Sequence, residues 1–136
     1  MDFSNFLIKR GNIFHSYEFK NIEHGKFFVI IGEDNDNYVG YFFINSNINQ
    51  NISKKTEFFE MQMLIKKSVY SSFLRYDSYI ACHKISLISK NKFSEQLNKG
   101  IIQYKENLTK EDEERLLDAV RNSDLYSEME KETYFK

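Results

Sequence analysis

His24 and Lys26 are the first residues whose types and spacing suit catalysis. They lie two positions apart just before an apolar run, so an extended backbone there places both side chains on the same side. An imidazole titrates near neutral pH and can act as a general acid or base, whereas an ammonium can hold a phosphate. One interpretation of this pair is therefore a phosphoryl-transfer site. The other is a solvated loop that contains one histidine and one lysine.

Asn45 and Ser46 form a second candidate pair, which follows the next apolar run. Both side chains can donate a hydrogen bond to a phosphoryl oxygen. If the two apolar runs pair as a hairpin, the start of the first run meets the end of the second. The sequence thus predicts one groove lined by Lys26, His24 and either Asn45 or Ser46. A strand-end serine bonded to the backbone is the alternative interpretation of Ser46.

The sequence lacks the motifs of several other common catalytic sites. The sequence contains no Gly-rich phosphate loop, no HExxH and no CxxC. Its one cysteine, Cys82, permits no intramolecular disulfide and is most simply a small buried hydrophobe. The histidines His15, His24 and His83 belong to three different segments, so we expect no metal site and no cofactor. Because His83 shares a predicted strand face with apolar residues, we interpret it as a core or interface histidine.

Length and composition favour a single domain over residues 1–136. The 136 residues are 41% apolar and 16% aromatic, which is enough to build a core. No apolar run approaches the roughly 20 residues that a membrane-spanning helix needs. The first residues lack the basic-then-apolar pattern of a secretory signal. A cytoplasmic protein is therefore expected.

Charge is distributed unevenly along the chain. Residues 106–136 hold ten acidic and five basic side chains and carry −5, so the remainder carries +4 within a net charge of −1. A modestly basic body can attract phosphates, although charges of both signs are also usual on protein surfaces. Within this body, Lys9, Arg10, Lys54 and Lys55 are the predicted contacts with a nucleic acid such as RNA.

The first two thirds of the sequence are typical of β-structure. Alternating patterns and apolar runs predict about five strands, at 12–19, 26–32, 38–45, 56–65 and 78–89. A polar turn at 33–37 joins the second and third strands as a hairpin, and Gly40 indicates a bend or bulge. The polar segment 46–55 is predicted to be a long loop.

The pattern changes to a helical period after Ser89. A short helix is predicted at 92–99, with Gly100 as a left-handed stop. Thr109 is predicted to cap a second helix that ends near Asp124, and a frayed polar tail is expected from Ser127. Short strands with one or two helices indicate a mainly β, α+β domain built as a partly open barrel.

The order of these elements and several local patterns resemble the PemK/MazF family of bacterial toxins. The matching segments are, in chain order, 9–14 (KRGNIF), 25–31 (GKFFVII), 44–46 (INS), 74–80 (LRYDSYI) and 108–112 (LTKED). The resemblance in element order extends over residues 9–125. Lys26 falls where the family has its catalytic Arg, and Phe27 falls where it has Pro. The family's Thr or Ser falls on Asn45 or Ser46, depending on a one-residue shift.

This resemblance implies an SH3-like, partly open β-barrel that forms a homodimer. It implies a toxin that cleaves single-stranded RNA (mRNA) without a metal, by attack of the ribose 2′-OH, and that pairs with an antitoxin protein. Lys26, Asn45 or Ser46, and His24 are then the catalytic candidates.

Lysine at position 26 also supports a second interpretation. A lysine is a point charge and lacks the planar, two-point grip of arginine on phosphate. A catalytically inactive SH3-like barrel that binds RNA or a protein partner is therefore the alternative function. A small barrel unrelated to this family and without a nucleic-acid role is a third possibility.

Overall fold

The computed structural model describes residues 8–17, 26–44 and 62–136. This part of the chain contains seven strands and three helices, in the order β1 (Asn12–Ser16), β2 (Lys26–Glu33), β3 (Asn37–Ile44), β4 (Gln62–Ile65), β5 (Ser78–Ala81), β6 (Ser86–Ser89), α1 (Lys90–Asn98), β7 (Ile102–Asn107), α2 (Lys110–Arg121) and α3 (Glu128–Tyr134).

All described strands pair antiparallel in one sheet. The order along the sheet is β4-β5-β3-β2-β1-β7, and β6 also pairs with β3. Strands β4 and β7 end this order, so the described sheet is not closed into a barrel. The predicted class, mainly β with a C-terminal helix, is confirmed. Within the described ranges, no helix is long and apolar enough to cross a membrane.

Two apolar cores lie on opposite faces of the sheet. Along β2, Val29 and Ile31 belong to the first core, whereas Phe28 and Ile30 belong to the second. Helix α2 contributes its apolar stripe to the first core, and helix α1 contributes Phe93 and Leu97 to the second. The prediction that this apolar run is buried on both faces is confirmed, because helices cover both sides of the strand.

The predicted β2–β3 hairpin is confirmed. Phe28 pairs with Phe42 and Ile30 with Gly40. In the connecting turn, the Asp34 carboxylate accepts hydrogen bonds from the backbone N–H groups of Asp36 (2.8 Å) and Asn37 (2.7 Å). These two bonds lower the pKa of Asp34. The side chain thus holds the turn that its residue type predicts.

An irregularity also lies beside Gly40, as predicted, but the extra residue is in the neighbouring strand. Ile30 pairs with Gly40 and Gly32 with Val39, which leaves Ile31 unmatched as a bulge in β2. A Cβ atom on Gly40 would lie 2.3 Å from the Val29 carbonyl oxygen. The close approach of the two backbones therefore requires glycine at position 40.

The prediction of a single strand over 78–89 is wrong. The segment forms β5 and β6, separated by a turn in which Lys84 N–H donates to the Ala81 carbonyl. Strand β5 pairs with the end of β3 at Phe43 and Ile44, whereas β6 pairs with its start, from Asn37 to Gly40. Alternation of side chains continues across such a break, so the sequence pattern does not reveal it.

Helices α1 and α2 confirm two predictions. The Ser89 hydroxyl caps α1, and Gly100 follows the helix with φ +76°. The Thr109 hydroxyl accepts a hydrogen bond from Asp112 N–H (3.1 Å) and caps α2. The second helix ends at Arg121, three residues earlier than predicted.

The prediction of a frayed tail from Ser127 is wrong, and β7 was not predicted. A capping box between Ser127 and Glu130 starts helix α3. Phe135, which follows the helix, is fully buried against Tyr41 and Tyr126. Strand β7 buries Ile102 and leaves most of its other residues partly or fully exposed, which gives it no clear apolar pattern.

Candidate functional site

Lys26 is the predicted catalytic residue that the structure describes. It begins β2 and pairs with Ser16 of β1. The β2–β3 register places it opposite Ile44, the last residue of β3. Its Nζ lies 5.7 Å from the centroid of the Phe42 ring, and no carboxylate of the described residues forms an ion pair with it. An ammonium at an open hairpin end, with no carboxylate partner among the described residues, can bind an anion.

The other predicted catalytic residues, His24, Asn45 and Ser46, lie outside the described residues. Lys54 and Lys55 do so as well. The β2–β3 hairpin on which the site prediction rests is present, and β2 starts where β3 ends. The groove that joins Lys26 to His24 and to Asn45 or Ser46 stays a prediction.

Lys9 and Arg10 lie at the other end of the β1–β2 pair. The Arg10 Nε atom donates to the Ile31 carbonyl at the bulge (2.7 Å). Since Ile31 is five residues beyond Lys26, the two ends are roughly 16 Å apart along the strand. Arg10 Nη2 also donates to backbone oxygens of Tyr134 (3.3 Å) and Lys136 (2.9 Å). RNA contact by Arg10 stays a prediction, but these donors join β2 to the end of α3.

We expect Arg10→Ala to lower the free energy of unfolding by about 2 kcal/mol, because charged hydrogen bonds to three backbone oxygens are lost. Urea denaturation measures this change. Lys9→Ala is the matched control, since Lys9 is an exposed basic neighbour. Equal stability of the two variants would contradict a structural role for the Arg10 guanidinium.

A groove of about 340 Å³ lies between α1 and the sheet, next to Lys26; we call it the α1 groove. Its apolar lining consists of Phe28, Phe42, Leu87, Ile88 and Ile102. Its polar lining consists of Ser16, Ser86, Ser89, Lys92 and Gln96. The Phe42 ring that lines this groove is the ring over which Lys26 lies. The groove therefore combines aromatic surface, hydroxyl groups, an amide and two nearby ammonium groups.

Helix α1 positions the polar side of this groove. Ser89, Lys92 and Gln96 are spaced three and four residues apart, so they follow one another along the same helix face. Phe93 and Leu97 fix the helix on the sheet through the second core. This spacing of Ser89, Lys92 and Gln96 is visible in the sequence. The helix, however, is predicted above from its apolar residues alone.

Gln96 is the most informative residue of the groove. Its side chain is 9% exposed, and its Oε1 atom is buried without a hydrogen-bond partner among the described residues. An unsatisfied buried amide oxygen costs about 1–3 kcal/mol. Buried polar groups are nearly always hydrogen-bonded in native proteins, so this oxygen is an acceptor that a donor entering the groove can satisfy.

The described cysteine and histidines are poorly placed for catalysis, because their side chains are buried or partly buried. Burial raises the pKa of the Cys82 thiol to about 12, so the thiol is protonated at neutral pH. His15 is buried against Tyr17 and Phe27. His83 is partly buried, and burial lowers its pKa. Residues 8–17, 26–44 and 62–136 contain no group of three His, Cys, Asp or Glu side chains that could hold a metal ion.

Comparison with known proteins adds no assignment to this geometry. No protein-family model matches the sequence, and no curated protein resembles it at a significant level.

Proposed function

We propose that the protein is a metal-independent endoribonuclease that cleaves single-stranded RNA, as the toxin of a toxin–antitoxin pair. The observation that carries this proposal is the position of Lys26. Its ammonium lies at the open end of the β2–β3 hairpin, over a ring that lines the α1 groove. A cation at this place can bind the phosphate of an RNA strand whose neighbouring nucleotide occupies the groove.

The proposed reaction uses the ribose 2′-OH as the nucleophile. A base removes its proton while the oxygen attacks the adjacent phosphorus, the bond to the 5′-oxygen breaks, and an acid protonates that leaving oxygen. The products are a 2′,3′-cyclic phosphate and a 5′-hydroxyl end. Lys26 stabilises the negative charge that grows on the phosphoryl oxygens. His24 is the proposed acid or base, and Asn45 or Ser46 the proposed additional donor.

The described fold supports the proposal at the level of class. An antiparallel sheet with a strand-turn-strand hairpin and a capped helix after β6 agrees with the order of elements expected from the PemK/MazF resemblance. The SH3-like barrel, the homodimer and the antitoxin partner belong to the same proposal. The basic body supports RNA as the substrate, because its charge attracts phosphates.

Incubation of the purified protein with a long RNA in the presence of EDTA tests the proposal. We expect cleavage at a limited set of sites, with cyclic phosphate and 5′-hydroxyl ends identified by end-labelling. RNA that is bound and left intact would contradict the enzymatic function and favour the inactive RNA-binding barrel. Absence of both binding and cleavage would overturn RNA as the ligand.

A further inference from the structure

We propose that the α1 groove is a nucleobase pocket and that the Gln96 amide reads the edge of the base. This inference rests on the proposed function in that it takes RNA as the ligand. It adds a residue that selects which base is held beside the phosphate at Lys26. None of the residues predicted from the sequence has this role.

The shape and apolar lining of the groove suit a flat aromatic ligand. Phe42 is the partly exposed ring of the groove, and its centroid lies 5.7 Å from that of Phe28, which also lines the groove but is 1% exposed. Aromatic side chains bind unstacked RNA bases through their faces. A volume of about 340 Å³ is within the range of small-molecule sites and holds one nucleotide.

The Gln96 side chain supplies the polar group that a base needs. Each RNA base carries a hydrogen-bond donor beside an acceptor on its pairing edge. A side-chain amide carries the complementary acceptor and donor. Oε1 of Gln96 is buried and has no partner in the described structure, so rotation of the side chain towards the groove would let a base donor satisfy it. The orphaned amide is thus explained by a ligand with an adjacent donor and acceptor.

The charges around the groove suit the phosphates of the same nucleotide. Lys92 lies one helical turn before Gln96 on α1, and Lys26 lies over the Phe42 ring at the neighbouring edge. Ser89, the N-cap residue of α1, also lines the groove and offers a hydroxyl group there. Base and phosphate are therefore bound by different residues of one surface.

The test compares binding of the four ribonucleoside 5′-monophosphates to wild-type protein and to Gln96→Glu. NMR titration follows the side-chain NH₂ signals of Gln96, which are assigned by their loss in Gln96→Leu. We expect at least one monophosphate to shift these signals in the wild type. A carboxylate offers two acceptors, so it matches guanine, which has adjacent N1–H and N2–H donors. Gln96→Glu should therefore shift preference towards guanosine monophosphate by roughly tenfold or more.

Two variants control for charge and folding. Gln103→Glu places the same change on exposed β7, and all four affinities should stay within about twofold of the wild type. Gln96→Leu removes the buried amide, so its melting temperature should be unchanged or higher while its nucleotide affinity falls. A lower melting temperature with unchanged affinity would overturn the inference in favour of a structural role.

Outcomes for the pocket and for the nuclease are distinguishable. RNA cleavage without any shift of the Gln96 signals overturns the base pocket and leaves the nuclease standing. A guanine shift in Gln96→Glu without RNA cleavage supports the pocket and contradicts the nuclease. An equal loss of affinity for all four monophosphates in Gln96→Glu would show a charge effect only, and would overturn base reading by Gln96.

Discussion

Replacing Lys26 with alanine is expected to lower the rate of RNA cleavage by two or more orders of magnitude. The Lys26 ammonium lies at the open end of the β2–β3 hairpin, where it can contact the phosphate. A single contact to the charge of the transition state is worth roughly 3–4 kcal/mol. Single-turnover cleavage of a labelled RNA measures this loss. Lys26→Arg should keep or raise the rate, because a guanidinium binds phosphate at two points.

Lys66→Ala is the matched control, since Lys66 is an exposed lysine beyond the end of β4. This variant should cleave RNA at the wild-type rate. Circular dichroism should show that all three variants are folded. Equal cleavage by the wild type and Lys26→Ala would leave the nuclease proposal without its central residue. If no variant cleaves RNA and Lys26→Ala only weakens salt-sensitive binding, the inactive RNA-binding barrel is the better interpretation.

Phe135→Ala is expected to lower the free energy of unfolding by about 3–5 kcal/mol, the usual loss for a fully buried phenylalanine. The ring is 0% exposed and packs on Tyr41 and Tyr126, so its removal leaves a cavity where α3 meets the first core. Chemical denaturation followed by circular dichroism measures the change.

Met129→Ala is the control for this prediction because Met129 lies on the same helix and is 78% exposed. Its unfolding free energy should stay within about 0.5 kcal/mol of the wild type. If both variants lose the same small amount of stability, helix α3 contributes no docking energy, and the segment behaves as the frayed tail that its polar sequence predicts.

The elements predicted well are those whose signals are local. The β2–β3 hairpin follows from an uninterrupted apolar run and from Asp34, whose side chain bonds to nearby backbone N–H groups. The starts and stops of α1 and α2 follow from Gly100 and Thr109. In each case the residue that determines the structure lies within a few positions of the structure itself.

The elements predicted poorly depend on distant parts of the chain. The break between β5 and β6 is set by which part of β3 each strand pairs with, and alternation carries no such information. Strand β7 is held by pairing with β1 while most of its side chains are not buried. The capping box at Ser127 was a readable signal for α3, but the burial of Phe135 depends on a core built from earlier strands.

The candidate site likewise contains one residue that the sequence predicts and one that it does not. Lys26 can be selected from residue type, position before an apolar run and family resemblance. Gln96 cannot be predicted as a site residue from the sequence, because glutamine is common on exposed helix faces. Only the packing of α1 against the sheet shows that this amide is buried at a groove without a partner.

The bonds from Arg10 to the end of α3 also limit when the native contacts can form during synthesis. They join residues 124 and 126 positions apart, so they raise the contact order of the fold. A ribosome adds about 5–20 residues per second, so roughly 5 s or more pass between the synthesis of β2 and the synthesis of α3. During that time the carbonyl at the Ile31 bulge and the Tyr41 side of the first core have no C-terminal partner. The native first core is therefore completed only after α3 has been synthesised.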